Sequence, residues 1–446
     1  MTNKLVIFLS IFFLSSQFIS AQEEGKVKEK IKTGWTPGGV PVVAFDSDIG
    51  FKYGALVRFD DYGDGSRYPR YDQSIYLEWS RTTKGSGINQ ITFDSHKLIP
   101  GIRTLAEVSL FTEKALDFYG FNGYNAYYNS SFEDKDDDLY KSRMFYRMDL
   151  VQLKLRAEFV GNLSGENLKW FAGFEYFNNK IDTVDLANLN KGKDAKDLLP
   201  SIGGGLYGDF IRWGLIPKDQ VDGGNTGIFK IGAIYDTRDN EANPMKGLWT
   251  DFQILLAPGF LGDDYGYTRL AATHRQYFTL IPKKLNIVYR LSYQAKLSGE
   301  MPFYMLPFVF NTAPQLTRNG LGGAKTMRGI LRNRVVGEDF VYGNAEIRYK
   351  VLRTVVLNQN FYIALAGFTD AGIVTGKYKL PVPTGPEAAD AVDWLNLSDE
   401  EKLHLSYGAG IHFAINDNFI ITVDYGMAAD KRDGKSGMYI GLNFLF

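Results

Sequence analysis

The sequence predicts an all-β fold, a 16-stranded antiparallel transmembrane β-barrel, and three observations predict it. Apolar and polar residues alternate over segments of about ten residues, long and short connections alternate between those segments, and an export segment opens the chain. Composition agrees. The 446 residues include 27 Tyr, 32 Phe and 47 Gly, with aromatics at 15%, yet mean hydropathy is only −0.20. So many rings with so neutral a mean arise when apolar residues share strands with polar ones. Charge is balanced, 50 Lys+Arg against 51 Asp+Glu, so no basic field attracts nucleic acid. The absence of cysteine excludes disulfides, zinc–thiolate sites and cysteine nucleophiles.

Residues 1–21 read as a secretory signal peptide: Lys4 supplies the positive start, residues 5–14 the apolar stretch, and Ile19-Ser20-Ala21 a small-residue cleavage site before Gln22. No later stretch of about 18 apolar residues could form a membrane helix. An exported chain without a helical anchor is either soluble or a closed outer-membrane barrel. Residues 22–39, with Lys26, Lys28, Lys30 and Lys32, read as a short periplasmic lead-in, and 40–446 as the barrel.

Alternation decides for the barrel. Over 285–298, Leu285, Ile287, Tyr289, Leu291, Tyr293, Ala295 and Leu297 share one face; Asn286, Arg290, Ser292, Gln294 and Lys296 share the other, with Val288 the exception. One apolar and one charged face suit lipid outside and a wet lumen inside. Asn344, Glu346, Arg348 and Lys350 repeat the polar face over 341–351, as do His404, Ser406, Gly408, Gly410 and His412 over 403–415, and Thr422 and Asp424 over 419–427. In order, the predicted strands are 40–46, 51–60, 72–82, 88–98, 102–113, 141–158, 167–180, 225–236, 247–258, 266–281, 284–298, 338–352, 359–373, 402–415, 418–429 and 436–446. With a periplasmic N-terminus, the four longest connections (114–140, 181–224, 299–337 and 374–401) all fall outside the cell, as barrels require. The tight turns 99–101, 282–284 and 416–418 fall on the periplasmic side.

Motifs for chemistry are weak. Gly203-Gly204-Gly205-Leu206-Tyr207-Gly208 matches G-x-G-x-x-G, but neither a preceding strand nor a following helix is evident, so it reads as a loop. The acidic run 133–138 reads as a solvated loop, and the calcium-loop pattern at Asp60, Asp64 and Gly65 fails because Tyr71 stands where a Glu is needed. His404 and His412 flank Ser406 on one face at about 7 Å spacing, which suits lumen lining better than a Ser–His pair. No enzyme, metal or cofactor is expected.

Two motifs carry a family resemblance. Asp236-Thr237-Arg238-Asp239 followed by Asn243-Pro244-Met245-Lys246-Gly247 resembles the periplasmic hairpin of the bacterial surface antigen family, the barrel domain of the BamA/TamA superfamily. Gly322-Gly323-Ala324-Lys325-Thr326-Met327-Arg328-Gly329-Ile330, then Asn344-Ala345-Glu346-Ile347-Arg348, resembles that superfamily's loop-six signature, an aliphatic-Arg-Gly-aromatic tetrad between strands eleven and twelve. The resemblance spans about the whole mature chain. It implies sixteen strands and an outer-membrane protein that inserts or exports other proteins through a seam between its first and last strands. Implied partners are outer-membrane lipid, unfolded outer-membrane proteins and periplasmic accessory proteins. It further implies that Arg328 pairs with Glu346 and Asp370 as a loop latch. Alternation puts Phe444 and Phe446 on the lipid face with Met438, Ile440 and Leu442, and a terminal aromatic strand of this kind, with Gly441, resembles the assembly signal of known outer-membrane barrels. Two departures stand out. Ile330 replaces the aromatic, and the lead-in is too short for a POTRA domain of about 75 residues, which shifts client capture onto accessory proteins. The first strand, 40–46, contains Pro41 and so lacks one donor, as a weakly pairing seam strand would. The rival reading is a passive channel or structural barrel without a protein client.

Overall fold

The computed structural model describes residues 31–46, 50–68, 70–241, 243–310, 320–356, 359–384, 386–395, 400–415, 419–442 and 444–446. The signal peptide, Lys26, Lys28, Lys30 and the turn 416–418 lie outside them. The strands are β1 (Trp35–Asp46), β2 (Gly50–Asp61), β3 (Gln73–Thr82), β4 (Gly87–Ile99), β5 (Ile102–Asp117), β6 (Arg147–Ser164), β7 (Leu168–Asp182), β8 (Gly223–Asp236), β9 (Gly247–Ala257), β10 (Tyr267–Ile281), β11 (Leu285–Gly299), β12 (Asp339–Val356), β13 (Gln359–Gly376), β14 (His404–Ile415), β15 (Phe419–Ala428) and β16 (Ser436–Leu442). Each pairs with the next in one antiparallel sheet, so the chain is an all-β, 16-stranded transmembrane barrel.

Burial is inverted relative to a soluble core. On β11, Asn286, Arg290, Ser292 and Gln294 are buried while Ile287, Leu291, Tyr293 and Leu297 are exposed. The polar face lines the lumen and the apolar face meets lipid. Val288 breaks the pattern because it packs in the lumen against Tyr277 and Phe446.

Four elements differ from the sequence prediction. β6 lies six residues later than the predicted 141–158 (147 − 141 = 6), because Phe145 and Tyr146 before it join the aromatic core instead of the sheet. β1 starts five residues earlier (40 − 35 = 5), because residues from Trp35 on pair with β2 through Trp35↔Asp61. It therefore includes Pro37 as well as Pro41, so two donors are missing along this edge strand. β16 ends at Leu442, and Phe444 and Phe446 turn into the lumen rather than facing lipid. Luminal cations draw them in: the Arg348 guanidinium lies 4.0 Å from the Phe444 ring and 5.4 Å from that of Phe446, and Arg290 lies 5.1 Å from Phe446. Met438 and Ile440 do face outward. The glycine run at 203–208 leads into a helix, Gly205–Arg212, contrary to its reading as loop alone. Leu206, Tyr207 and Phe210 of that helix belong to an aromatic core with Phe118, Phe121 and Phe303.

That core fills the end of the barrel that carries the long connections. It is built by the four long connections, which tie to one another above the wall. Lys141, for example, sits 4.4, 4.5 and 4.6 Å from the rings of Phe132, Phe145 and Trp394, joining the connection after β5 to the one after β13. A sheet whose backbone bonds all run between neighbouring strands resists detergent. The purified protein should accordingly migrate faster on a denaturing gel when unheated than when boiled; identical migration would contradict the barrel.

Candidate functional site in the lumen

The inner wall of β12–β15 presents three carboxylates. Glu346 projects from β12, Asp370 from β13 and Asp424 from β15, each on a luminal position of its strand and each buried. Left alone they would repel strongly in a partly dry lumen. The connection between β11 and β12 brings the counter-charge. Its base is closed by the Leu321↔Val335 bridge, and the Thr326 hydroxyl, 2.9 Å from Gly322 O and 3.2 Å from Gly320 O, folds the tip back. Met327 and Ile330 anchor the tip in an apolar pocket with Leu321, Val335, Phe340, Tyr342 and Val374. Ile330, only 1% exposed, fills that pocket where the family pattern has an aromatic.

Arg328 then points into the carboxylates. Its Nε and Nη2 donate to Asp370 Oδ2 and Oδ1, both at 3.0 Å, and its backbone N–H donates to Oδ2 at 2.9 Å. This is the fork geometry that suits guanidinium to carboxylate. Nη1 donates to Asp424 Oδ2 at 3.1 Å and stands 2.7 Å from Glu346 Oε1, the latter an ion pair without an aligned hydrogen bond. The Phe368 ring lies 3.5 Å from the guanidinium carbon. Glu346 is shared with Arg348, whose Nε sits 2.7 Å from Oε2, and His412 Nε2 lies 2.9 Å from Asp424 Oδ1. Asn344 donates to Thr326 O at 2.6 Å and Arg290 to Lys325 O at 3.2 Å, fixing the tip from β12 and β11.

The structure thus brings Met327, Arg328, Gly329, Ile330, Glu346 and Asp370 together. The periplasmic motif forms a separate turn. Arg238 binds Asp236 through Nε at 3.0 Å and lies 4.3 Å from the Trp249 ring. Asp239 accepts from the backbone of Met245 at 2.9 Å, and Gly247 turns the chain at φ 98°. Gly441 stays in β16, paired with Thr422. Sequence reasoning missed three members of the lumen cluster: Phe368, Asp424 and Tyr439, whose hydroxyl accepts from Gly329 N–H at 2.9 Å. Alternation over 419–427 turns Asp424 inward, but nothing local says that the loop between β11 and β12 reaches it.

The histidines form no Ser–His pair. His404 Nδ1 lies 2.7 Å from Asp433 Oδ1 and Nε2 3.1 Å from Glu401 Oε1, so both ring nitrogens are engaged by carboxylates. Ser406 Oγ instead turns toward Asp370 O at 3.5 Å.

Residues 107–446 match the Omp85 superfamily domain. Two solved structures share the fold. BamA from Haemophilus ducreyi lacking POTRA domains 1-3 is 14% identical with a TM-score of 0.50, the match covering 92% of this chain and 70% of that one. CdiB from Escherichia coli is 8% identical with a TM-score of 0.55, covering 92% of this chain and 62% of that one, so this chain spans less than two thirds of its length. No curated protein sequence matches. With the matched region running from β5 to the end of the sheet, the chain belongs to the Omp85 superfamily.

Proposed function

We propose that this barrel inserts or exports proteins at the outer membrane through the seam between β1 and β16, together with periplasmic accessory proteins that deliver clients. One observation supports this above the rest. Pairing runs unbroken from β1 to β16, yet among the described residues no register joins β16 back to β1. The two edges are also mismatched, twelve residues against seven. An edge strand offers a row of backbone donors and acceptors, and an incoming strand can add to it. Hydrocarbon penalises bare edges, so such a seam closes when idle and opens when a strand is supplied. In this reading Arg328, Glu346 and Asp370 latch the sixth loop inside the lumen, and the role is that of a protein-handling barrel rather than an enzyme. The rival, a passive channel, is opposed by the aromatic core that fills the end carrying the long connections.

The test is reconstitution in liposomes with an unfolded barrel client. Faster client folding in liposomes carrying the protein is expected. Unchanged folding accompanied by leakage of small solutes would favour the channel instead.

A further inference from the structure

The lumen wall beyond β13 carries a feature that the ion cluster alone does not require. Phe368 on β13 faces Gly408 on β14, Gly408 faces Gly426 on β15, and Gly426 faces Gly437 on β16. Three glycines thus stand side by side across the last three strands, and each empty position is occupied. The Phe368 ring lies over Gly408 and the Tyr439 phenol over Gly437. The loop backbone itself lies on Gly426, where an added Cβ would stand 2.7 Å from the carbonyl carbon of Arg328. The fit is reciprocal: a Cβ on Gly329, at φ 94°, would stand 2.6 Å from Met427 N. No side chain fits at either place.

We infer that the tip of the sixth loop is a strut on the last hairpin, with Asp424 and Tyr439 as the positioning residues that couple its seating to the seam strand β16. The ion pairs with Glu346 and Asp370 hold the tip to β12 and β13. The Arg328–Asp424 contact carries the hold to β15, and the Gly329 N–H bond to the Tyr439 hydroxyl carries it to β16. β16 has seven residues and, among the described residues, a single sheet neighbour, β15. A tertiary hydrogen bond to so short an edge is a large share of what holds it. Seating the tip restrains the seam strand; withdrawing the tip releases it. This deepens the seam reading proposed above, because it names what would control the seam, but the coupling itself is structural and can be measured without any client.

The measurement is hydrogen exchange of the purified barrel in detergent, followed in peptides covering 436–442, 327–330 and 339–356. Tyr439→Phe keeps the ring and removes only the hydroxyl. It should speed exchange in 436–442 about fivefold, the loss of one hydrogen bond, and leave 339–356 unchanged. Gly426→Ala should speed exchange in both 327–330 and 436–442, because the methyl displaces the tip. In an Arg328→Ala background, where the tip is already loose, Tyr439→Phe should add nothing, since coupled sites are not additive. Unchanged exchange in 436–442 for Tyr439→Phe, or full additivity with Arg328→Ala, would overturn the inference. Coupling without any change in client folding would leave it standing and count against the seam reading.

Discussion

Arg328→Ala should destabilise the barrel by about 3 to 5 kcal/mol, the usual penalty for removing one partner of a buried ion pair. The wild-type cluster sets two guanidinium groups, Arg328 and Arg348, against three carboxylates, Glu346, Asp370 and Asp424. Arg328 is 1% exposed and Asp370 fully buried, so water cannot replace the lost donors without opening the lumen. Asp370 would suffer most. It accepts three of the bonds from Arg328, and two of them vanish with the side chain. Glu346 keeps Arg348, and Asp424 keeps His412. Arg328→Lys should recover only part of the loss, because a single ammonium cannot span Asp370 and Asp424 in fork geometry. Adding Asp370→Asn to Arg328→Ala should recover more, by removing the stranded charge. The measurement is the temperature at which the fast-migrating folded band disappears in a heating series, compared across the four proteins. Equal temperatures for wild type and Arg328→Ala would mean that the cluster is not holding the fold.

How much of this could be read from the residues follows from what alternation encodes. Period two encodes the wall, so all sixteen strands could be placed and Asn344, Glu346, Asp424 and His412 assigned to the lumen. It encodes nothing once the strand stops. Phe444 and Phe446 continue the outward parity in the sequence, and only the luminal cations Arg290 and Arg348, from strands far away in the chain, explain why they turn inward. Trp35 to Gly39 read as lead-in because glycine and proline break the alternation, yet the register with β2 extends through them. The glycine shelf was invisible for another reason. Gly408, Gly426 and Gly437 lie on three strands, and only the register aligns them. Arg328, Glu346 and Asp370 were legible through resemblance to a motif, whereas Asp424 and Tyr439, outside it, needed the folded loop.

Lys230→Met should produce a loss of similar size, about 3 to 5 kcal/mol, on the opposite wall and for a purely structural reason. Lys230 on β8 is 1% exposed in its side chain and bridges two carboxylates, with Glu175 Oε1 at 2.7 Å and Glu158 as the second partner. Glu158 and Lys230 are separated by β7, and they meet because Gly173 stands between them, facing both in register. The surrounding group is balanced: Glu107, Glu158 and Glu175 against Lys154, Arg156 and Lys230, three of each sign. Removing Lys230 leaves an unpaired buried charge, and the distances say where it falls. Glu158 retains Arg156 Nη2 at 2.9 Å, while Glu175 retains only Arg156 Nε at 3.8 Å. Glu175→Gln should therefore rescue Lys230→Met better than Glu158→Gln does. Among the described residues this cluster shares no partner with Arg328, so the two losses should add, and exchange in 327–330 should stay at the wild-type rate in Lys230→Met. A heating series of the single, double and rescued variants checks both points; sub-additive losses would show that the two walls do not stand independently, and rescue by Glu158→Gln alone would show that the stranded charge falls on Glu158 instead.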